Sequence, residues 1–227
     1  MLRQLDDALW IAEQPLRFYG VELGTRMSVV RLRDGGLFLH SPIRLEPGLR
    51  DALARLGTPR AAVAPNRLHH LFIGAYRDAF PQIQLFAAPG LSGKRPDLRF
   101  DGVLDGDAAP AVWATEIDQA LVRGYPILNE VVFCHRASRT LLTCDIVFNF
   151  QADAPFLTRL AVRLLGGYGR FGPTWIERVL IRDRVAARSS FERILSWDFD
   201  RIVLAHGHIR EHGGHAALRE GYGWLLT

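Results

Sequence analysis

The sequence has few cysteines and no long apolar run. Only Cys134 and Cys144 occur among 227 residues, which excludes a disulfide-rich secreted scaffold. No apolar stretch reaches the ~18 residues that a membrane-spanning helix needs. The opening segment, MLRQLDDALWIAEQP, carries acids where a signal peptide would carry its apolar stretch. We therefore expect a soluble, cytoplasmic protein without a membrane span.

The two cysteines are not expected to pair. The segment FCHRASRTLLTCD predicts a hairpin that turns at Ala137-Ser138 and sets Cys134 opposite Leu141. Cys144 then lies three positions further along, about 10 Å away at a strand rise near ~3.3 Å. That separation is too large for a disulfide, so we expect two free, partly buried thiols.

The sequence also lacks a block of like charges, an internal repeat and a low-complexity linker. The net charge is only +4, with basic residues spread along the chain, so charge does not favour nucleic acid as the partner. A small-molecule substrate is the expected partner, and the oligomeric state is left open. With 48% hydrophobic residues, the chain can bury a core without a metal as a staple. We predict one domain, residues 1–227, in which any metal is functional.

Apolar periodicity predicts helices packed on sheets. A hairpin turning at Asp34-Gly35-Gly36 is followed by strand, helix, strand, helix and strand over residues 37–88. Further strands follow, then helices at roughly 155–166 and 173–197, a strand ending in VLAHG, and a closing helix. Two strand-rich halves that each end in helices predict an α/β fold, a four-layer α/β/β/α sandwich.

Histidines and one aspartate stand where chemistry is expected. His69 and His70 follow the buried strand at 60–64, and His206 ends the apolar strand RIVLAH. Side chains at the carboxyl ends of such strands line the crevices in which α/β proteins bind ligands. Asp145 lies within the apolar segment LLTCDIVF, where a carboxylate must be paired, hydrogen-bonded or bound to a metal. The agreement of these placements favours a shared metal site over separate structural roles.

Four longer motifs carry a family resemblance: PNRLHHLF, RTLLTCDIVFNF, LLGGYGRFGP and DFDRIVLAHG. They resemble the DUF4336 family, and the order of elements is similar to the metallo-β-lactamase fold superfamily, of which this family is identified as a divergent branch. The superfamily motif H-x-H-x-D-H, aligned on its last histidine, corresponds here to PNRLHH. Pro65 and Arg67 then replace its first two histidines, His69 replaces its aspartate, and His70 is retained. Tyr125 stands near the place of the next histidine.

The resemblance implies that one of two metal sites is kept. Asp145 matches the bridging aspartate and His206 matches the final histidine, while the three histidines of the other site are replaced. The implied ligand set is His69, His70, Asp145 and His206. Three imidazoles and a carboxylate suit one divalent metal, with Zn²⁺ favoured and Fe²⁺ or Mn²⁺ as alternatives. Because His69 replaces an acid, it could instead orient a ligand or carry a proton.

Two functions follow as hypotheses. The first is a metal-dependent hydrolase of an ester, thioester, lactone or phosphodiester, in which Asp145, Arg67 and Tyr125 are catalytic. Asn66 is a further candidate for stabilising developing negative charge. The alternative is a non-catalytic protein of the same fold that binds a small molecule or a protein partner.

Other features are weaker candidates. His40 could orient a ligand through a hydrogen bond, and His208 could line the pocket. The segment GGYGRFGP is a helix connection or a lid that contacts substrate through Tyr168, Arg170 and Phe171. His135, His212 and His215 are not expected to bind metal.

Overall fold

A computed structural model describes residues 1–227, which form thirteen strands and eight helices. The strands are β1 (Arg3–Asp6), β2 (Leu9–Gln14), β3 (Arg17–Phe18), β4 (Val21–Glu22), β5 (Thr25–Arg31), β6 (Gly36–His40), β7 (Thr58–Ala64), β8 (Gln84–Ala87), β9 (Gly102–Val103), β10 (Ile117–Leu121), β11 (Val131–His135), β12 (Thr140–Leu142) and β13 (Arg201–Val203). The helices are α1 (Pro47–Leu56), α2 (Gly74–Ala79), α3 (Leu91–Lys94), α4 (Phe156–Leu164), α5 (Trp175–Leu180), α6 (Arg184–Ile194), α7 (Gly214–Gly221) and α8 (Gly223–Leu226).

The strands form two main sheets and a small hairpin. Seven strands pair in the order β1-β2-β5-β6-β7-β8-β9, four pair in the order β10-β11-β12-β13, and β3 pairs with β4. The β5–β6 hairpin closes through Gly35, whose φ of +82° suits glycine. From β6 to β8 the strands are parallel and α1 and α2 connect them, as the alternating pattern predicts. Cys134 pairs with Leu141, so the predicted register of the β11–β12 hairpin is confirmed, and both thiols are free.

Three apolar clusters define four layers. The central cluster takes side chains from both sheets, including Phe38, Val63 and Phe133, and lies between them. A second cluster covers the outer face of the larger sheet with residues of α1 and α2. A third covers the outer face of the smaller sheet with residues of α6, α7 and α8. The predicted α/β/β/α sandwich is confirmed.

Strand ends bring the candidate residues to one edge. The strand β7 ends at Ala64, just before Asn66 and His69. Strands β12 and β13 are parallel, so the segments that follow them, with Asp145 and His206, leave the smaller sheet at the same edge. Carboxyl ends of strands are the usual place for ligand sites in α/β folds.

Two helices differ from the sequence prediction. The segment LHHLFIGAYRDAFP predicts a helix from Leu68, but residues 69–73 form turns and α2 begins only at Gly74. The helix predicted over 173–197 is two helices, because the carbonyl of Gly124 accepts hydrogen bonds from the N–H groups of Arg182 and Asp183. The side chain of Asp183 then caps α6 by accepting a hydrogen bond from the N–H of Ala186. None of the helices combines the length and apolar composition needed to traverse a lipid bilayer.

Candidate metal centre

His69, Asp145 and His206 bring one ligand atom each to a single point. The Nε2 atom of His69 lies 3.3 Å from Oδ2 of Asp145, and the Nε2 atom of His206 lies 3.3 Å from Oδ1. The two Nε2 atoms are 3.1 Å apart. All three side chains are largely buried. They are the one group of three or more histidine, cysteine or acidic side chains in the structure that is close enough to hold a metal ion.

Both imidazoles are held from behind through their other nitrogen. The Nδ1 atom of His206 lies 2.8 Å from the carbonyl oxygen of Gly24. A carbonyl can only accept, so Nδ1 of His206 is the donor in this contact, and its Nε2 faces His69 and Asp145. The Nδ1 atom of His69 lies 2.8 Å from Oγ of Ser41, which directs its Nε2 toward the same point. Such partners fix the orientation of metal-binding histidines.

Asp145 is positioned by a buried amide and a second carboxylate. The Nδ2 atom of Asn66 donates to Oδ2 of Asp145 at 2.7 Å and to Oε2 of Glu130 at 2.9 Å. Glu130 also accepts hydrogen bonds from the backbone N–H groups of Cys144 and Asp145, each at 2.7 Å. The other end of the Asn66 amide, Oδ1, accepts from the N–H groups of Leu68 and His69. One asparagine therefore fixes the loop of one ligand and the carboxylate of another.

The two carboxylates are shifted in opposite directions. Burial raises the pKa of Asp145, but the adjacent imidazoles of His69 and His206 outweigh burial, so its pKa lies below the ordinary value. Burial raises the pKa of Glu130, and the charge of Asp145 raises it further. Asp145 is therefore the carboxylate that carries the negative charge at the site.

The donor set fits a divalent metal. Bonds of about 2.0–2.2 Å in a tetrahedral site set neighbouring ligand atoms roughly 3.3–3.6 Å apart. The observed separations of 3.1–3.3 Å are close to that range. Imidazole nitrogens and a carboxylate are the groups that Zn²⁺, Fe²⁺ and Mn²⁺ bind.

His70, the fourth predicted ligand, lies outside this group in the structure. Adjacent side chains in the turn after Asn66 diverge, and the Nδ1 atom of His70 lies 3.0 Å from the guanidinium of Arg95. Burial lowers the pKa of His70 to about 4, and the charges of Lys94 and Arg95 contribute to that shift. His70 is thus a neutral side chain beside two cations, in contact with Arg95.

Arg67 and Tyr125 lie on neighbouring loops. One guanidinium nitrogen of Arg67 donates to the carbonyl of Pro126 at 3.2 Å, and neither side chain is hydrogen-bonded to His69, Asp145 or His206. Tyr125 is buried, and burial raises the pKa of its hydroxyl, together with the charges of Glu177 and Asp145. Its hydroxyl therefore stays protonated.

The segment that carries His206 is fixed by Arg26. This buried arginine donates to the carbonyl oxygens of Leu204 and Gly207, and it pairs with Glu13 at 2.6 Å. Gly207 has a φ of +85°, and a Cβ there would lie 2.4 Å from the carbonyl oxygen of Asn149. Only glycine fits this approach. Arg26 and Gly207 therefore hold the chain on either side of the ligand.

A groove opens beside the centre, along the same segment. It comprises two connected cavities of about 380 Å³ and 300 Å³. Both are lined by Gly24, whose carbonyl contacts His206, and by Gly207, which follows His206 in the chain. Glu13, Glu22 and Arg26 also line both cavities. The lining is mainly polar, which suits a polar substrate more than a hydrocarbon.

The remaining histidines have other partners. His40 lies on β6, and its Nε2 has no hydrogen-bond partner. The hydrogen bond to a candidate metal ligand that was expected from His40 is made by its neighbour Ser41, which contacts His69. His208 contacts Asp153 at the edge of the groove. The other three are hydrogen-bonded at 2.7–3.1 Å: His135 to Ser138, His212 to Asp200, and His215 to the carbonyl of Leu195.

Sequence reasoning missed Ser41, Gly24 and Glu130. Glu130 carries a usable signal in the sequence, because it directly precedes the apolar strand VVFC. In the structure its side chain is completely buried. The cost of burying a carboxylate applies to Glu130 as it does to Asp145. Ser41 and Gly24 show no such signal, because their roles depend on contacts between distant segments.

A comparison with protein families identifies one family. Residues 6–166 match DUF4336, described as a domain of unknown function. That stretch contains His69 and Asp145, while His206 lies beyond it. No curated protein matches the sequence.

Solved structures of metallo-β-lactamases share the fold over the whole chain. The enzyme from Pontibacter korlensis is 11% identical, with a TM-score of 0.67, and the match covers 100% of this chain and 99% of that one. FIM-1 from Pseudomonas aeruginosa, in its mono-zinc form, is 11% identical with a TM-score of 0.64, covering 100% and 92%. The protein from Erythrobacter litoralis is 14% identical with a TM-score of 0.65, covering 99% and 93%. The chain has the metallo-β-lactamase fold and belongs to the DUF4336 family.

Proposed function

We propose that this protein is a single-metal hydrolase whose metal is held by His69, Asp145 and His206. The observation that carries the proposal is the convergence of two Nε2 atoms and a carboxylate within 3.3 Å, with both Nδ1 atoms already bonded elsewhere. Catalytic zinc sites keep three protein ligands and leave one position open, whereas structural sites are closed by four. The absence of His70 from the group therefore favours a catalytic site.

One metal is proposed, rather than the two of the wider superfamily. The aligned positions of the other site hold Pro65, Arg67 and Tyr125, of which proline offers no side-chain ligand and arginine stays protonated. Zn²⁺ is the first candidate, with Fe²⁺ and Mn²⁺ as alternatives. The mono-zinc form of FIM-1 supports the idea that this fold can hold a single zinc. DUF4336 would then be a divergent branch that has lost the other site.

The chain supplies charge and orientation around the centre. When bound, a divalent metal acts as a Lewis acid that activates water and polarises a carbonyl or phosphoryl oxygen. Arg67 provides a fixed positive charge on the adjacent loop, suited to an anionic substrate group. Tyr125, kept protonated by burial and nearby carboxylates, can donate a hydrogen bond to developing negative charge. The substrate classes are ester, thioester, lactone and phosphodiester, and we place the reaction in the cytoplasm, where free thiols persist.

Hydrolysis of model substrates tests this function. The metal-loaded protein is assayed with one ester, thioester, lactone and phosphodiester, before and after removal of metal by a chelator. Asp145→Asn should abolish turnover of the accepted class, while Asp198→Asn, which alters an exposed aspartate paired with Arg139, should leave turnover unchanged. A protein that retains metal yet turns over none of the four classes would favour the non-catalytic, ligand-binding alternative.

A further inference from the structure

Helix α4 exposes the apolar side that a surface helix normally buries. Phe156 and Leu164 are 69% and 74% exposed, and Leu157 and Leu160 between them are also exposed. Thr158 and Val162, on the other side, are the buried residues of the helix. Large apolar side chains are thus presented to solvent along the whole helix.

Helix α5 extends this apolar surface. The indole N–H of Trp175 donates to the carbonyl of Leu164 at 3.0 Å, so the exposed ring lies at the end of α4. Val179, one turn further along α5, is 67% exposed. We call the whole surface the α4–α5 ridge, and it consists of Phe156, Leu157, Leu160, Leu164, Trp175 and Val179. Contiguous exposed apolar patches of this kind mark interaction sites.

The segment that carries the ridge is rich in arginines without a carboxylate partner, although Arg163 lies over the ring of Tyr168 and Arg178 over that of Trp224. Residues 154–182 contain five arginines, none of which forms a salt bridge, namely Arg159, Arg163, Arg170, Arg178 and Arg182. The one acid in this stretch, Glu177, is buried and hydrogen-bonded to Thr174. The acids at either end of the segment have other partners, Asp153 with His208 and Asp183 with the N–H of Ala186. The arginines therefore form a cationic rim that no salt bridge neutralises.

We propose that the α4–α5 ridge docks on the surface of an anionic lipid bilayer. Interfacial helices of this type bury Trp, Phe and Leu at the boundary of headgroups and acyl chains, while Lys or Arg contact lipid phosphates. Arginine suits phosphate because its planar fork donates two hydrogen bonds to it. The aromatic tip of the β3–β4 hairpin, Phe18 and Tyr19, is exposed beside α4, where Thr158 bonds the carbonyl of Glu22.

Charge argues against a second copy of the chain as the occupant. A two-fold interface would set the ridge against itself and bring both cationic rims together. An anionic bilayer instead supplies the negative charge that the rim lacks and the apolar medium that the ridge requires. The proposal does not depend on the hydrolase function.

Co-sedimentation with vesicles tests the proposal. The full chain is mixed with phosphatidylcholine vesicles, or with vesicles of equal parts phosphatidylcholine and phosphatidylglycerol. It should sediment with the anionic vesicles, more weakly as salt is raised, and not with neutral ones. Arg159→Gln with Arg163→Gln should weaken binding roughly 25-fold, since each cation near an anionic surface contributes about fivefold. The matched double variant, Arg55→Gln with Arg60→Gln, removes two exposed, unpaired arginines outside the ridge and should bind normally.

A second pair of variants tests the apolar part. Leu160→Ser with Leu164→Ser should abolish vesicle binding, while Val103→Ser, which alters an exposed valine on β9, should not. Circular dichroism checks that each variant is folded. Equal binding to neutral and anionic vesicles, or normal binding by either ridge variant, would overturn the proposal. A dimer in solution that dissociates on Leu160→Ser with Leu164→Ser would place a second copy on the ridge instead.

Discussion

The buried carboxylate of Glu130 lies directly behind that of Asp145, and both accept a hydrogen bond from the Nδ2 atom of Asn66. The Oδ1 atom of the same amide accepts hydrogen bonds from the N–H groups of Leu68 and His69. The two carboxyl groups are thereby kept in fixed positions by one amide donor. Asn66, which the sequence suggests as a group that stabilises developing negative charge, holds Asp145 and the loop of His69 in place at the candidate metal centre.

Replacing Asn66 is expected to weaken metal binding as well as folding. Asn66→Ala leaves buried carboxylate oxygens and backbone N–H groups without partners, so the free energy of unfolding should fall by about 2–4 kcal/mol. Loss of such supporting groups typically lowers metal affinity by about 10–100-fold. Zinc affinity is measured by competition with a coloured chelator, and stability is measured by urea unfolding.

Gln119→Ala is the matched control for this variant. Gln119 is also a buried amide, and it donates to the carbonyls of Gly106 and Ala108 at 3.0 Å and 2.9 Å. The control should lose stability but keep the wild-type zinc affinity. Equal zinc affinities for both variants would show that Asn66 has no specific role at the centre.

Ser41 is expected to orient His69. Ser41→Ala removes the 2.8 Å contact between the hydroxyl and Nδ1, so the ring can rotate and zinc affinity should fall about tenfold. Ser138→Ala removes a similar contact, at 2.7 Å to Nδ1 of His135, away from the centre. Chelator competition should separate the two variants. Unchanged affinity in Ser41→Ala would mean that packing alone holds His69.

His40 is expected to make the protein sensitive to acid. Burial, with a smaller contribution from the charge of His69, lowers the pKa of His40 from 6.5 to about 3. Between these values the unfolded chain binds a proton that the native chain does not. The contribution of His40 to the free energy of unfolding is therefore fully present above pH ~6.5. It decreases as pH falls, by up to ~1.4 kcal/mol per pH unit.

His40→Leu should remove this pH dependence. Its Nε2 has no hydrogen-bond partner, so leucine leaves no polar group unpaired at neutral pH. Urea unfolding at pH 7 and pH 4.5 should show that the wild type loses about 2–3 kcal/mol more than the variant. His212→Leu, at an exposed histidine paired with Asp200, is the control and should follow the wild type. A wild type and His40→Leu with parallel pH profiles would contradict the assignment.

Much of the fold could be predicted because its signals are local. Alternating apolar residues and the Asp34-Gly35-Gly36 turn predict the β5–β6 hairpin, and the register that places Cys134 opposite Leu141 is correct. The helix predicted from residue 68 begins only at Gly74, for a reason that lies in the preceding turn. The Asn66 side chain accepts the N–H groups of Leu68 and His69 and forms a turn there, since asparagine competes with helix formation in this way.

The candidate site was only partly predictable. Apolar surroundings identify Asp145 and His206, because burying such groups without partners is costly. Periodicity cannot decide whether His69 or His70 turns inward, since that depends on the turn made by Asn66. Ser41 and Gly24 are brought to the site by pairing of distant strands, which no local pattern records.

Metal content measured by native mass spectrometry is the most direct test of the central claim. The untagged protein is reconstituted with zinc and desalted, and ions per chain are counted for the wild type, His70→Ala and His206→Ala. We predict one ion in the wild type, one in His70→Ala, whose ring contacts Arg95, and none in His206→Ala, which remains folded by circular dichroism. A wild type with two ions or none, or a His70→Ala variant that loses its ion, would contradict a single-metal site of His69, Asp145 and His206.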